Sequence, residues 1–309
     1  MSTPPSSPPL AAQRESRPAH TLVRLLGCQP EDLPTLPAIA LELGRLAADP
    51  DSTVEQMVEV IKTDPPLAAR LLRVANSPLY RGTQPVISLE RAVLVLGFDQ
   101  VSRLALGLSL LWSAGGRKPL QRRLLNLNLW RHSVAAGVCC EILARDYLGW
   151  GEGYYVHGLL HDLGKLTLEA FRPEAFDEVV RLLTKEGLSW REAELRTMEL
   201  DHAHLSALLL DFWGLPEPLC LAVGGHHEPW EAEEEARTAG LVALGNHAAH
   251  ALGFRSFDRG LEDDPAGYPT QELQNYWAKQ GWTLEEFLRQ GLREKVLATR
   301  DLIENLGAG

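Results

Sequence analysis

The chain has 309 residues, 45% hydrophobic and 23% charged, with a formal net charge of −11. These values suit a globular protein with one large core or two modest ones. The acidic excess, with no compensating Lys/Arg run, excludes the electrostatic footprint of a nucleic-acid binder, and the most apolar run, Leu104 to Trp112, is far short of the ~20 residues that span a bilayer. Four scattered cysteines (Cys28, Cys139, Cys140, Cys220) form no CxxC pair, and the Pro/Ser-rich N-terminus does not resemble a secretory signal. Reduced, buried thiols in a cytoplasmic protein are the expectation.

Residues 1–18 are low-complexity and predicted to be disordered. A short helix is predicted over 19–26. From Leu33 the pattern becomes helical, with Leu36, Ile39, Ala40, Leu43, Leu46 and Ala47 on one stripe. Asp49-Pro50 breaks it, and Ser52 or Thr53 caps the next helix, whose inner face carries Val54, Met57, Val58 and Ile61. Asp64 caps a third, with Pro65 at its first position, ending at Asn76. Helices over 88–96 and 99–111 are split by Gly97, and 120–147 reads as one long helix carrying His132. Further helices are predicted over 154–170, 173–186, 190–199, 202–213, 216–226 and 239–251, and two more over 271–279 and 284–305. Nowhere do β-branched and polar residues alternate as a strand requires. The expectation is an all-α domain over 19–309, with an N-terminal helical part over 33–115, a second part over 120–254, and C-terminal helices over 270–305.

The stretch Gly158-Leu-Leu-His-Asp-Leu-Gly-Lys-Leu166 sets a histidine beside an aspartate amid apolar residues. Nine of ten histidines follow residue 130, among them the vicinal pair His226-His227. Imidazole and carboxylate ligands together suit Zn, Fe, Mn or Ni rather than Ca. His204, His247 and His250 are read as helix-surface or supporting residues rather than ligands.

His132 followed by His161-Asp162 and Gly164-Lys165 resembles the HD superfamily of metal-dependent phosphohydrolases, and above all its HDOD branch. Leu33-Pro-Thr-Leu-Pro37, Asp64-Pro65 with Leu67-Ala-Ala-Arg-Leu-Leu72, Ala75-Asn-Ser77, Leu96-Gly97 and Trp213-Gly-Leu-Pro216 occur in that branch's order. The resemblance spans about Leu33 to Phe254. It implies an all-helical domain of bacterial signalling proteins, often without catalysis.

Similarity to the HD-GYP cyclic-di-GMP phosphodiesterases places metal ligands at His132, His161, Asp162, His202, His226 and His227, with Lys165 near a metal-bound phosphate. Two carboxylates of that pattern are replaced by Asn128 and Asn246, and asparagine supplies an oxygen without charge. One metal position keeps Asp162, His202, His226 and His227; its neighbour keeps His132, His161 and the shared Asp162, with Asn246 as a weakened ligand. Gly267-Tyr-Pro269 lies too far downstream to match the Gly-Tyr-Pro of that family. The resemblance therefore implies a regulatory domain that binds other signalling proteins, or a nucleotide or phosphate ligand, without turnover. A metal-dependent phosphohydrolase is the alternative. Neither flank is long enough for a fused receiver, kinase or cyclase, so partners are expected to meet it by non-covalent contact.

Overall fold

In a computed structural model the chain is described over residues 10–29, 32–33, 38–77, 80, 86–113, 120–151, 153–198, 200–256 and 269–299. Every regular element among these residues is helical, as the sequence pattern predicts. No helix among them is long and apolar enough to cross a membrane.

The first helix, α1 (Leu10–Leu26), starts earlier than the predicted 19–26 and contains Pro18. It buries Leu22 and Leu26 and packs on the later half of the chain, where the Arg172 guanidinium donates to the Leu25 carbonyl at 2.8 Å. Of residues 1–18, expected to be disordered, 10–18 fall in α1 and 1–9 lie outside the described residues, as do the motif residues 34–37.

Helices α2 (Ala38–Ala48), α3 (Val54–Lys62), α4 (Pro65–Ala75), α5 (Leu89–Leu96) and α6 (Phe98–Ser113) form the N-terminal layer, with α2 along α6 and both α3 and α4 against α5. Local chemistry sets their starts. The Thr53 hydroxyl accepts from the Gln56 N–H while the Gln56 side chain accepts from the Thr53 N–H, a reciprocal capping box. Asp64 accepts from the Leu67 N–H and Ser88 from the Arg91 N–H. Asn76 explains the Ala75-Asn76-Ser77 motif: its amide donates to the carbonyls of Leu72 and Val86 and accepts from the Val86 N–H, tying both ends of the 77–86 connection together.

Helix α7 (Leu120–Ile142) is the central strut, continued by a π-helical turn over Leu143–Leu148. Ala135, Ala136, Cys139 and Cys140 are all fully buried. Apolar character around a whole helix is what interior placement requires. Around it lie α8 (Tyr155–Leu160), α9 (Leu163–Phe171), α10 (Pro173–Glu186), α11 (Trp190–Met198), α12 (His202–Phe212), α13 (Glu217–Gly224) and α14 (Ala236–Ala251). The C-terminal helices α15 (Gln271–Lys279), α16 (Leu284–Phe287) and α17 (Arg293–Ala298) close over α7 and α14. The Trp277 indole donates to the Gly240 carbonyl, and the Tyr276 hydroxyl to that of Ala236.

Three predicted helices differ in a way that matters. The single helix expected over 284–305 is kinked at Gly291, whose φ of +100° favours glycine, and residues 300–305 lie outside the described residues. The helix expected over 154–170 is broken between α8 and α9 at His161-Asp162. The helix expected over 216–226 ends at Gly224, leaving His226 and His227 in the turn beyond it.

Candidate metal centre

Both breaks place histidines where a regular helix would not. Asp162 has φ −100° and ψ 10°, off the helical basin, so His161 and Asp162 turn inward together instead of pointing 100° apart. His202 is the first residue of α12, whose cap, Asp201, accepts from the His204 N–H. His132 comes from the middle of α7, and Asn246 from α14.

These elements bring the sequence-predicted residues into two adjoining groups: His202, His226 and His227, and His132, His161 and Asp162. Within each, the candidate ligand atoms lie within 4.8 Å of one another. Asp162 joins the groups. Its Oδ1 lies 3.1 Å from His202 Nε2 and 3.4 Å from His161 Nε2, and its Oδ2 lies 3.7 Å from His132 Nε2. His202 Nε2 and His227 Nε2 are 2.9 Å apart.

The hydrogen-bond network assigns the tautomers. Nδ1 of His132 donates to the Phe254 carbonyl at 2.8 Å, that of His161 to Gly158 at 2.7 Å, and that of His226 to Val223 at 2.7 Å. His202 Nδ1 contacts Glu194 Oε2 at 2.6 Å. The rings of His132, His161 and His226 thereby turn an unprotonated Nε2 inward, whereas His202, between two carboxylates and 2.9 Å from His227 Nε2, carries a proton that a bound metal would displace. The Nε2 atoms of His132, His161 and His226, with Asn246 Oδ1, are buried without a hydrogen-bond partner. Buried orphans are costly, and a metal ion is the partner this donor set fits. The nitrogen-rich set suits Zn, Fe or Ni, or Mn, over Ca.

Electrostatics agrees. Burial pushes the pKa of His132, His161 and His227 down, and brings His226 to about 3, so these imidazoles are neutral and ready to ligate. Burial opposes ionisation of Asp162, yet His161, Lys165 and His202 hold its carboxyl well below the usual range. Burial likewise lowers His202, but the Glu194 and Asp162 carboxylates outweigh it and raise the ring to about 9. Lys165 lies 2.7 Å from Asp162 Oδ2, with its ammonium 5.1 Å from the Trp190 ring centre.

Sequence reasoning missed the residues that hold this geometry. Glu194 on α11, fully buried, accepts from both the backbone N–H and Nδ1 of His202. This is the carboxylate–histidine pairing that orients ligands and raises their basicity. The Ser206 hydroxyl accepts from the Gly164 N–H at 2.7 Å and lies 2.8 and 3.0 Å from the carbonyls of His202 and His161. It knits the α8–α9 break to α12. No residue-type signal marks a lone Glu or Ser in a helical stripe.

Gly164 permits that join. A Cβ there would sit 2.2 Å from the His202 carbonyl oxygen, which is backbone and cannot swing aside. Gly164→Ala is therefore expected to cost roughly 1–3 kcal/mol, as overpacking does. It should also reduce metal content, because α9 must shift from α12. Denaturant titration and elemental analysis check both.

The remaining predicted residues separate. Asn128 lies one turn before His132 and is partly exposed. Asn246 lies beside His132 and raises its pKa slightly against burial. His204 is half-exposed and paired with Asp201, whereas His247 and His250 are buried, which of the two readings given above leaves them the supporting one and not the helix-surface one. The His250 ring lies 4.4 Å from that of His132. Of the Gly267-Tyr268-Pro269 run, 267 and 268 lie outside the described residues.

A cavity of about 780 Å³ is lined in part by His227. Leu208, Leu215 and Leu221 contribute apolar wall, and Asp211, Glu217 and Glu231 contribute charge. Its one arginine, Arg191, is held by Asp201 at 3.0 Å and by Glu228.

Comparison with known proteins agrees with this architecture. An uncharacterised protein of Treponema pallidum (strain Nichols) is 26% identical over 225 residues, 70% of this chain but only 42% of that protein, so the chain spans less than half of that relative. A crystal structure from Marinobacter aquaeolei VT8, provisionally named a signal transduction protein, aligns over 95% of this chain and 66% of its own, at 23% identity and a TM-score of 0.71. One from Shewanella amazonensis SB2B, provisionally named a phosphohydrolase, aligns over 96% of this chain and 98% of its own, at 22% identity and a TM-score of 0.67. At these identities the two structures establish shared fold. The HDOD domain profile matches residues 33–229, well over half of the chain, and the chain therefore belongs to the HDOD domain family.

Proposed function

We propose that this chain is a bacterial signalling domain that acts by binding rather than by turnover, and that its histidine cluster holds a divalent metal as a fixed centre of the fold. Enclosure carries this reading. His132, His161, Asp162, His202 and His226 are each at most 1% exposed, and Lys165 is 4% exposed and engaged with Asp162; His227 alone of the six is half-buried, where it lines the cavity. Catalytic metal sites keep an open coordination position, whereas structural ones are closed. The residues that would hold the metal are His202, His226, His227 and Asp162, with His132 and His161 beside them; bound, the ion would offer Lewis acidity, with His227 the one ligand that reaches the cavity.

The binding role belongs to the cavity beside His227. Its free charge is negative and its arginine is already paired, so it suits an apolar segment of a protein partner better than a nucleotide or phosphate. The signalling name of the Marinobacter structure is consistent with protein partners. Buried, reduced Cys139, Cys140 and Cys220 suit the cytoplasm.

The second reading, a metal-dependent phosphohydrolase, is favoured by retention of all six ligand-type residues and Lys165 around one point. One experiment separates the two. Protein purified without chelator is expected to carry about one or more divalent ions per chain, and chelation should lower its melting temperature by mass action. Its hydrolysis of bis-p-nitrophenyl phosphate should not exceed that of His161→Ala. Turnover that disappears in His161→Ala would overturn the binding reading; metal-free protein with an unchanged melting temperature after chelation would overturn the metal centre.

A further inference from the structure

The position served by His132, His161 and Asp162 has only three donors among the residues brought together there, and the two carboxylates expected to complete it are Asn128 and Asn246. Helix α14 offers something else. His250 follows Asn246 by one turn, so both side chains emerge on the same face of α14. Both are 8% exposed. The His250 ring lies 4.4 Å from that of His132, at 45° to it, just outside the trio whose ligand atoms converge. Its Nδ1 is buried with no hydrogen-bond partner, as are Asn246 Oδ1 and the Nε2 atoms of His132 and His161. A histidine buried only to pack would satisfy its ring nitrogen on a carbonyl, as His132, His161 and His226 do with theirs.

We propose that His250 replaces the missing carboxylates as a ligand of a second divalent ion, held by His132, His161, His250 and the shared Asp162, with the Asn246 carbonyl oxygen beside it. This rests on the reading that a metal occupies the neighbouring His202, His226 and His227 group. Exchange of acid for imidazole makes the second position richer in nitrogen and poorer in charge, which favours Zn, Co or Ni over Mn and Mg.

Titration of the chelator-stripped full-length chain with Co²⁺, followed by visible absorption and elemental stoichiometry, tests this. The wild type should bind two equivalents. His250→Ala should keep one and bind the other about tenfold or more weakly, the scale set by losing a ligand's support or the ligand itself. The double substitution His250→Ala with Asn246→Asp should restore two, because it returns a donor to the same face; circular dichroism checks that each variant is folded. One equivalent in the wild type, or two unweakened equivalents in His250→Ala, overturns the role of His250 and leaves the first metal standing. A loss that Asn246→Asp does not restore also overturns it, since a packing defect is not repaired by a new ligand. No Co²⁺ bound by the wild type removes the metal reading itself.

Discussion

Replacing Asp162 with alanine is expected to destabilise the metal-free chain by about 3–5 kcal/mol, the cost of stripping one partner from a buried ion pair. Asp162 is 1% exposed and Lys165 4%, with 2.7 Å between carboxylate and ammonium. Without the carboxylate, Lys165 keeps only the Trp190 ring face, 5.1 Å away. Because the charge left behind is the cause, Asp162→Ala combined with Lys165→Met should recover most of the loss, as removal of both members of a buried pair often does. Urea unfolding in the presence of chelator measures this directly. A single-variant loss below about 1 kcal/mol would place Lys165 in water and contradict its burial. The same substitution should empty both metal groups, since Asp162 is the carboxylate that bridges them. Restoring metal to the single variant should therefore not restore its stability, whereas it should raise that of the wild type.

Glu141 is the second residue whose loss should be large, and it lies away from the histidines. It is 6% exposed on α7 and accepts from Arg103 on α6 at 2.8 Å, from the Gly153 N–H at 3.1 Å and from the Tyr155 N–H at 2.9 Å. One carboxylate thus joins the N-terminal layer to α7 and anchors the start of α8, the helix that delivers His161. Glu141→Ala leaves the Arg103 guanidinium and the buried Tyr155 N–H without this acceptor, a loss of about 3 kcal/mol. Glu141→Gln keeps the shape but loses the charge, and its amide N–H₂ opposes donors, so it should recover only part. Thermal denaturation and hydrogen exchange at the start of α8 report both effects. Equal stability of Glu141→Ala and wild type would show that the two halves are joined by apolar packing alone.

The helical class and most element starts were legible because their causes are local. Thr53 with Gln56, Asp64 with Pro65, and Ser88 announce helix starts within four residues, and the apolar stripes repeat at the helical period. The ligand-type residues His132, His161, Asp162, His202, His226 and His227 were legible by type and order, since no other stretch of the chain clusters imidazoles in this way.

What the sequence could not decide is set by contacts between distant segments. His132 receives its orientation from the Phe254 carbonyl, 122 residues away, and Gly164 meets Ser206 across 42. The helix predicted over 154–170 breaks at Asp162 because α9 must pack closely on α12, a demand absent from local propensity, which favours an unbroken helix there. Glu194 and His250 look like ordinary helix residues until α11 and α14 close around His202 and His132. Sequence alone therefore determined which side chains are able to ligate and which helices carry them. Tertiary packing decided which ring nitrogens face one another, which carboxylate supports them, and which of the rings are buried, because burial and tautomer are properties of neighbours and not of spacing along the chain.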